Sequence, residues 1–187
     1  MIVSILTVCT ANLCRSPLLE RVLQGSLDRA LGPRVVDVRS AGTRARAGIE
    51  SPPVVRELVA ANAGDPTGML SRALTPQLVG DAALVLTATR DHRADVVRLD
   101  RAGLRTTFTV REFGRLLDGL DWRGGADLPG LVRAVAARRG TLPPVPPEQD
   151  AVPDPIGRSR AVYDLVLAQL LPVVGALTAA LGRTSRR

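Results

Sequence analysis

Cys9 and Arg15 bracket the run Cys9-Thr10-Ala11-Asn12-Leu13-Cys14-Arg15-Ser16, with strand formers before it (Ile2–Val8) and a helical pattern after it that opens on Pro17. A strand that ends in a short polar loop and opens a helix makes an anion site. The loop amides and the free N–H groups of the first helical turn converge on one point, where the helix dipole favours negative charge. A cysteine at the start of such a loop sits in the same field, which stabilises its thiolate. Arg15, at the helix entrance, offers a planar fork that grips two oxygens of one phosphate and stabilises charge during transfer. The chemistry this implies is phosphoryl transfer onto the sulfur of Cys9. Ser16 can donate its hydroxyl to that sulfur, or act as an ordinary helix N-cap, or both. Asn12 can hold the loop by bonding neighbouring backbone and tolerating positive φ.

Strand patterns at Ile2–Val8, Val35–Arg39, Ala83–Leu86 and Thr106–Thr109 alternate with helical ones at Pro17–Leu31, Pro52–Ala63 and Asp91–Leu99. This alternation predicts an α/β fold: a single-domain three-layer sandwich with a four-stranded parallel sheet, helices on both faces and the phosphate-binding loop after the first strand. Right-handed crossovers put functional loops at the carboxyl ends of the strands, where Cys9 stands. Further on, Val110–Leu117 reads as a helix with Phe113, Leu116 and Leu117 inward, and Leu128–Arg139 as a basic helix. The proline-rich Gly140–Pro147 reads as a surface loop. The expected domain is 1–182, with 118–153 a loop-rich insertion and 183–187 a basic tail. The last helix is expected to start near Arg158 or Ser159 and to bend at Pro172.

The net charge of +7 comes entirely from arginine, since all 25 basic residues are arginine. They are scattered, aromatic stacking platforms are missing, and no zinc or helix-turn-helix pattern occurs, so nucleic acid is not an expected partner. A positive surface does attract anionic substrates. Two cysteines make neither a secreted disulfide framework nor, with one distant histidine, a metal site; no metal or cofactor is expected. The N-terminus has no basic lead of the signal-peptide kind. Uncharged Leu165–Gly182 contains Gln169, Pro172 and Gly175, and its apolar residues recur at helical spacing, which favours a docked helix over membrane insertion. The expected compartment is the cytoplasm. Oligomeric state is not legible. His92, near a predicted helix start, reads as structural or exposed.

The Cys-x5-Arg-Ser spacing is the signature of cysteine-dependent phosphatases. With Asn12, Cys14 and Pro17 it resembles the low-molecular-weight protein tyrosine phosphatase family, as do Ser40-Ala41-Gly42-Thr43 and, far downstream, Pro153-Asp154-Pro155-Ile156-Gly157. The resemblance implies a phosphatase acting on phosphotyrosine proteins or other phosphomonoesters. Catalysis would rest on Cys9, Arg15, Ser16 and Asp154, with phosphate bound by Thr10, Ala11, Asn12, Leu13, Cys14 and Arg15. Asp154 would then be general acid and base, although read alone it is equally a plain Asp-Pro turn. Cys14 would be a redox partner of Cys9, against the alternative of a packed thiol. Departures are Ala11 in place of the family's usual glycine, which is strained if that position needs positive φ. Ile156 and Arg44-Ala45-Arg46-Ala47 stand where the family carries aromatics that wall the phosphotyrosine ring. Leu13 stands where related arginine phosphatases have threonine. An arsenate reductase of the same fold served by an external thiol, and a non-catalytic phosphate-binding module, are the alternatives.

Overall fold

The computed structural model describes residues 2–183. Four parallel strands, β1 (Val3–Cys9), β2 (Val36–Gly42), β3 (Leu84–Thr87) and β4 (Thr107–Thr109), form one sheet in the order β2-β1-β3-β4. Period-two alternation divides the buried chain between two faces. Ile5, Cys9, Leu84, Leu86 and Phe108 face one apolar cluster, while Leu6, Val8, Ala41 and Val85 face the other. Cys9 pairs with Gly42 and Val8 with Thr87, so the strands end together and their following loops meet above β1. The sequence reading ended the second strand at Arg39. Pairing of Thr7, Val8 and Cys9 with Ser40, Ala41 and Gly42 carries it three residues further.

Among the described residues, eight α-helices and a 3-10 turn (Arg101–Arg105) surround the sheet: α1 (Arg15–Leu31), α2 (Pro53–Ala61), α3 (Pro76–Gly80), α4 (Arg90–Leu99), α5 (Val110–Leu117), α6 (Leu128–Ala137), α7 (Pro147–Asp150) and α8 (Arg160–Gly182). Helices α1, α2, α5, α6 and α8 supply the larger, aliphatic cluster, in which Phe108 and Phe113 meet edge to face with centroids 5.3 Å apart. Val79 and Val96, from α3 and α4, close the smaller one. The fold class read from the sequence is the one observed. Short helix α3 was not anticipated, and the segment read as a loop ends in the one-turn helix α7, whose Pro147 stands at a helix start, where its missing N–H costs nothing. Leu128, Leu131, Val132 and Val135 bring α6 fully into the core. Helix α8 is long and apolar enough to cross a membrane by length and composition alone, yet here it packs along α1 and α5 and buries Tyr163, Val166, Leu170, Val173 and Leu177. It continues through Pro172. The basic tail beyond Arg183 lies outside the described residues.

Asp150, at the end of α7, is 4% exposed and accepts Arg90 Nε at 2.8 Å and Arg115 Nη2 at 2.5 Å. Two residues on, the Val152 amide donates to the Ala88 carbonyl at 2.8 Å, just past β3. These bonds tie the segment leading to Asp154 onto the sheet. Removing one partner of a buried ionic cluster leaves the others uncompensated. Asp150→Ala is expected to lower unfolding free energy by about 2–3 kcal/mol, because both arginines keep access to water. Urea denaturation at neutral pH measures it; a change within error would mean that Asp150 is no anchor.

Candidate active site

The loop between β1 and α1 turns on Asn12, which holds φ at 55° while fully buried. Its side chain accounts for that conformation. Nδ2 donates to Ser16 Oγ at 2.9 Å and to Ser40 Oγ at 2.8 Å, and Oδ1 accepts the Arg72 amide at 2.7 Å. Ser40 in turn donates to the carboxyl of Glu20, which burial shifts upward from the ordinary carboxylate range. Ala11 keeps negative φ, so the expected strain at that position does not arise: the left-handed residue is its neighbour.

The carbonyls of Cys9 and Thr10 accept the amides of Thr43 and Arg44, both at 2.9 Å. Among the described residues, no protein group accepts the amides of Thr10 through Cys14, so these donors are left without a partner. Gly42 makes the approach possible. A Cβ there would stand 2.5 Å from the Thr10 carbonyl oxygen and 2.8 Å from the Asn12 nitrogen. The Ser40–Thr43 motif is thus a backing plate for the anion loop.

Cys9 Sγ lies 2.9 Å from Ser16 Oγ. That hydroxyl accepts Asn12 Nδ2, and its hydrogen can go to the sulfur or, over a longer 3.4 Å contact, to the Ala41 carbonyl. The Arg15 side chain is almost wholly buried, and its Nη2 reaches Asp154 Oδ2 at 2.9 Å and Thr10 Oγ1 at 3.3 Å, while Nη1 donates to the Val152 carbonyl at 3.3 Å. Asp154 itself is half exposed. Nucleophile candidate, guanidinium and carboxylate therefore converge, although Asp154 lies 139 positions from Arg15.

His92 was read as structural or exposed, and only the first half holds. It is 6% exposed, at the start of α4, with Nε2 2.8 Å from Thr10 Oγ1 and Nδ1 2.8 Å from Thr89 Oγ1. Burial, reinforced by the charge of Arg15, depresses its pKa. A neutral ring can serve two hydroxyls at once, whereas an imidazolium would set a second cation beside Arg15. No local signal marks this role, because Thr10 and His92 meet only through the β1–β3 pairing.

Cys14 packs at the helix entrance with Tyr163 bonded to its sulfur; burial pushes the thiol up to about 12. At neutral pH it is protonated, unlike an attacking thiolate. Ile156 is 46% exposed, and Arg44 and Arg158 are exposed on the loops that follow Gly42 and Asp154.

Residues 4–119 match the family model described as low molecular weight phosphotyrosine protein phosphatase. A relative from Klebsiella pneumoniae, described as a low molecular weight protein-tyrosine-phosphatase, is 35% identical over 92 residues, covering 49% of this chain and 60% of its own length. A similarly described protein, EpsP of Ralstonia nicotianae, is 37% identical over 86 residues, covering 46% and 55%. The match thus spans little more than half of each relative. Among solved structures, the Erwinia amylovora tyrosine phosphatase amsI superposes with TM-score 0.68 at 23% identity, covering 97% of this chain and 94% of that one. The YwlE arginine phosphatase of Geobacillus stearothermophilus does so with TM-score 0.69 at 23% identity, covering 96% and 92%. Those two likenesses show a shared fold, carried by proteins named for different substrates.

The neutral His92 sets a pH dependence. Its folded pKa lies below the ordinary 6.5, so between those values the unfolded chain binds more protons and stability falls as pH drops. Urea midpoints are expected to decline as pH falls below about 6.5 and to decline less steeply in His92→Gln. Equal slopes for both proteins would remove His92 as the cause.

Proposed function

This chain belongs to the low molecular weight phosphotyrosine protein phosphatase family, and from that premise we propose that it hydrolyses phosphomonoesters, with protein phosphotyrosine the leading substrate class, through a phosphocysteine on Cys9. The free amides of the loop and the fork of Arg15 bind the three non-bridging oxygens. The Cys9 thiolate attacks phosphorus, the bond from phosphorus to the ester oxygen breaks, and Asp154 delivers a proton to the departing oxygen. Water then attacks the phosphocysteine, Asp154 takes up a proton from it, inorganic phosphate forms and the thiolate leaves. Ser16 stabilises that leaving sulfur by donating its hydrogen.

The observation that carries the reading is the 2.9 Å contact between Arg15 and Asp154 beside the anion loop. A turn aspartate with no part in the chemistry has no reason to sit on the phosphate-gripping residue. Substrate phosphate competes for the same guanidinium, freeing the carboxyl to meet the leaving oxygen. Because Ile156 and the run Arg44-Ala45-Arg46-Ala47 stand where the family carries aromatic walls, ring stacking contributes less than usual to binding, and phosphate contacts and positive charge contribute more. The same reading places the protein in the cytoplasm, acting on phosphorylated proteins, with neither nucleic acid nor bilayer as partner. The domain spans 1–182. Cys14 serves as a redox partner: peroxide oxidises Cys9 to the sulfenic acid, and the Cys14 thiol condenses with it to give a disulfide and water. The proton that Cys14 holds slows this step.

The test is turnover of p-nitrophenyl phosphate under reducing conditions. Cys9→Ser is expected to abolish it, and Asp154→Ala to lower kcat by about a hundredfold or more, with little change in phosphate binding. A folded wild-type protein that binds phosphate through Arg15 without turnover would overturn the enzymatic reading and leave the binding module.

A further inference from the structure

At the end of the sheet away from Cys9, where the chain enters β3 and β4, lies a groove of about 820 Å³. Leu104, Pro129, Val132 and Ala136 give it an apolar floor. Arg93, Arg105, Arg133 and Arg139 stand around it. Arginine alone means little in this chain; the unbalanced charge is what marks the place. Arg139 is matched by Glu112 at 2.9 Å and stacks over the Phe108 ring at 3.9 Å. Arg93 has no such match. Its Nε donates to the Thr107 carbonyl at 3.1 Å, the same oxygen that Arg139 reaches at 2.5 Å, and among the described residues no carboxylate lies within ion-pair distance of it. Burial, with Arg139 adding to it, lowers the Arg93 pKa, and the charges of Glu112 and Asp150, neither in ion-pair contact with Arg93, oppose that only in part. Arg105 and Arg133 are exposed and likewise pair with no carboxylate among the described residues.

A half-buried guanidinium beside a second one, two more at the rim and a hydrocarbon floor together select for one kind of guest. Acid groups bond strongly to guanidinium forks, and an alkyl chain gains by covering apolar surface. We propose that this groove binds an aliphatic carboxylate, its chain on Leu104 and Val132 and its head group among Arg93, Arg105 and Arg133. The site is separate from the phosphate loop: consecutive residues of α4 serve the two, His92 bonding Thr10 and Arg93 turning to Thr107.

The experiment is calorimetric titration of the full chain with decanoate at low salt, below the concentration at which the probe self-associates. Trp122, the only tryptophan, lies against Gly130 of α6 and gives a parallel fluorescence signal. Decanoate is expected to bind one to one, with acetate and decanol each weaker by about tenfold or more. Saturating inorganic phosphate should leave decanoate binding unchanged. The double variant Arg105→Glu/Arg133→Glu should weaken it by about tenfold while the unfolding midpoint and p-nitrophenyl phosphate turnover stay as in the parent. Decanol binding as tightly as decanoate would reduce the groove to a greasy surface. Displacement by phosphate would put the carboxylate on Arg15 instead. Either result, no binding, or indifference to the double variant overturns the proposal.

Discussion

The arrangement of the site depends on one buried amide. Asn12 is the residue of the loop that takes left-handed backbone, a conformation that costs a non-glycine residue about 1–2 kcal/mol in the absence of compensation. Compensation comes from three hydrogen bonds that link the loop to the first turn of α1, to the end of β2 and to the Arg72 strand-like segment. The loop held at Asn12 has the Cys9 and Thr10 carbonyls bonded to Thr43 and Arg44 and, among the described residues, no protein acceptor for the amides of Thr10 through Cys14. The same side chain fixes the Ser16 hydroxyl beside the Cys9 sulfur. Loop shape and the polarity around the sulfur therefore cannot be changed independently.

A second constraint runs from the far end of the chain. Asp154 is half exposed and gains little from burial, so its position is set by the segment before it. That segment is held at Asp150 by two arginines and at Val152 by the β3 edge, and the Val152 carbonyl meets Arg15 directly. Arg15 thus touches both the anchored segment, at the Val152 carbonyl, and the Asp154 carboxylate. An anchor only a few residues away allows Asp154 to shift between the guanidinium and a leaving group without the loop coming off the sheet.

Much of this was legible in the residues. The strand-loop-helix run around Cys9 gave the first strand and first helix to within one or two residues at each end, because hydrophobic patterning makes those elements local. Gly42 was legible as part of a motif but not as a reason: only the 2.5 Å approach to Thr10 explains why a side chain is excluded there. Ala11 raised an expectation of strain that disappears once Asn12 takes the positive φ. His92 and Asp150 were missed as site and anchor, since each works through partners brought near by tertiary folding, and neither has a local pattern to distinguish it from a surface polar residue. The one-turn α7 lay in a proline-rich stretch, where proline at the first helical position and proline in a loop look alike.

The remaining question is what holds a substrate once its phosphate is seated. Stacking between aromatic walls adds about 0.5–1.5 kcal/mol beyond area burial for each well-placed pair. With Ile156 and the run Arg44-Ala45-Arg46-Ala47 where the family carries aromatics, the contribution shrinks, and selectivity for an aromatic ring over an aliphatic stem shrinks with it. Arg44 and Arg158, exposed on loops to either side, supply instead a field that falls off over about 8–10 Å at ordinary salt. Such a field does not read ring shape; it reads charge beyond the phosphate. On the proposed phosphatase reading, discrimination among phosphoproteins rests on the acidity of the flanking sequence and weakens as ionic strength rises, whereas contacts to a phosphate held beside buried Asn12 and Arg15 are screened far less.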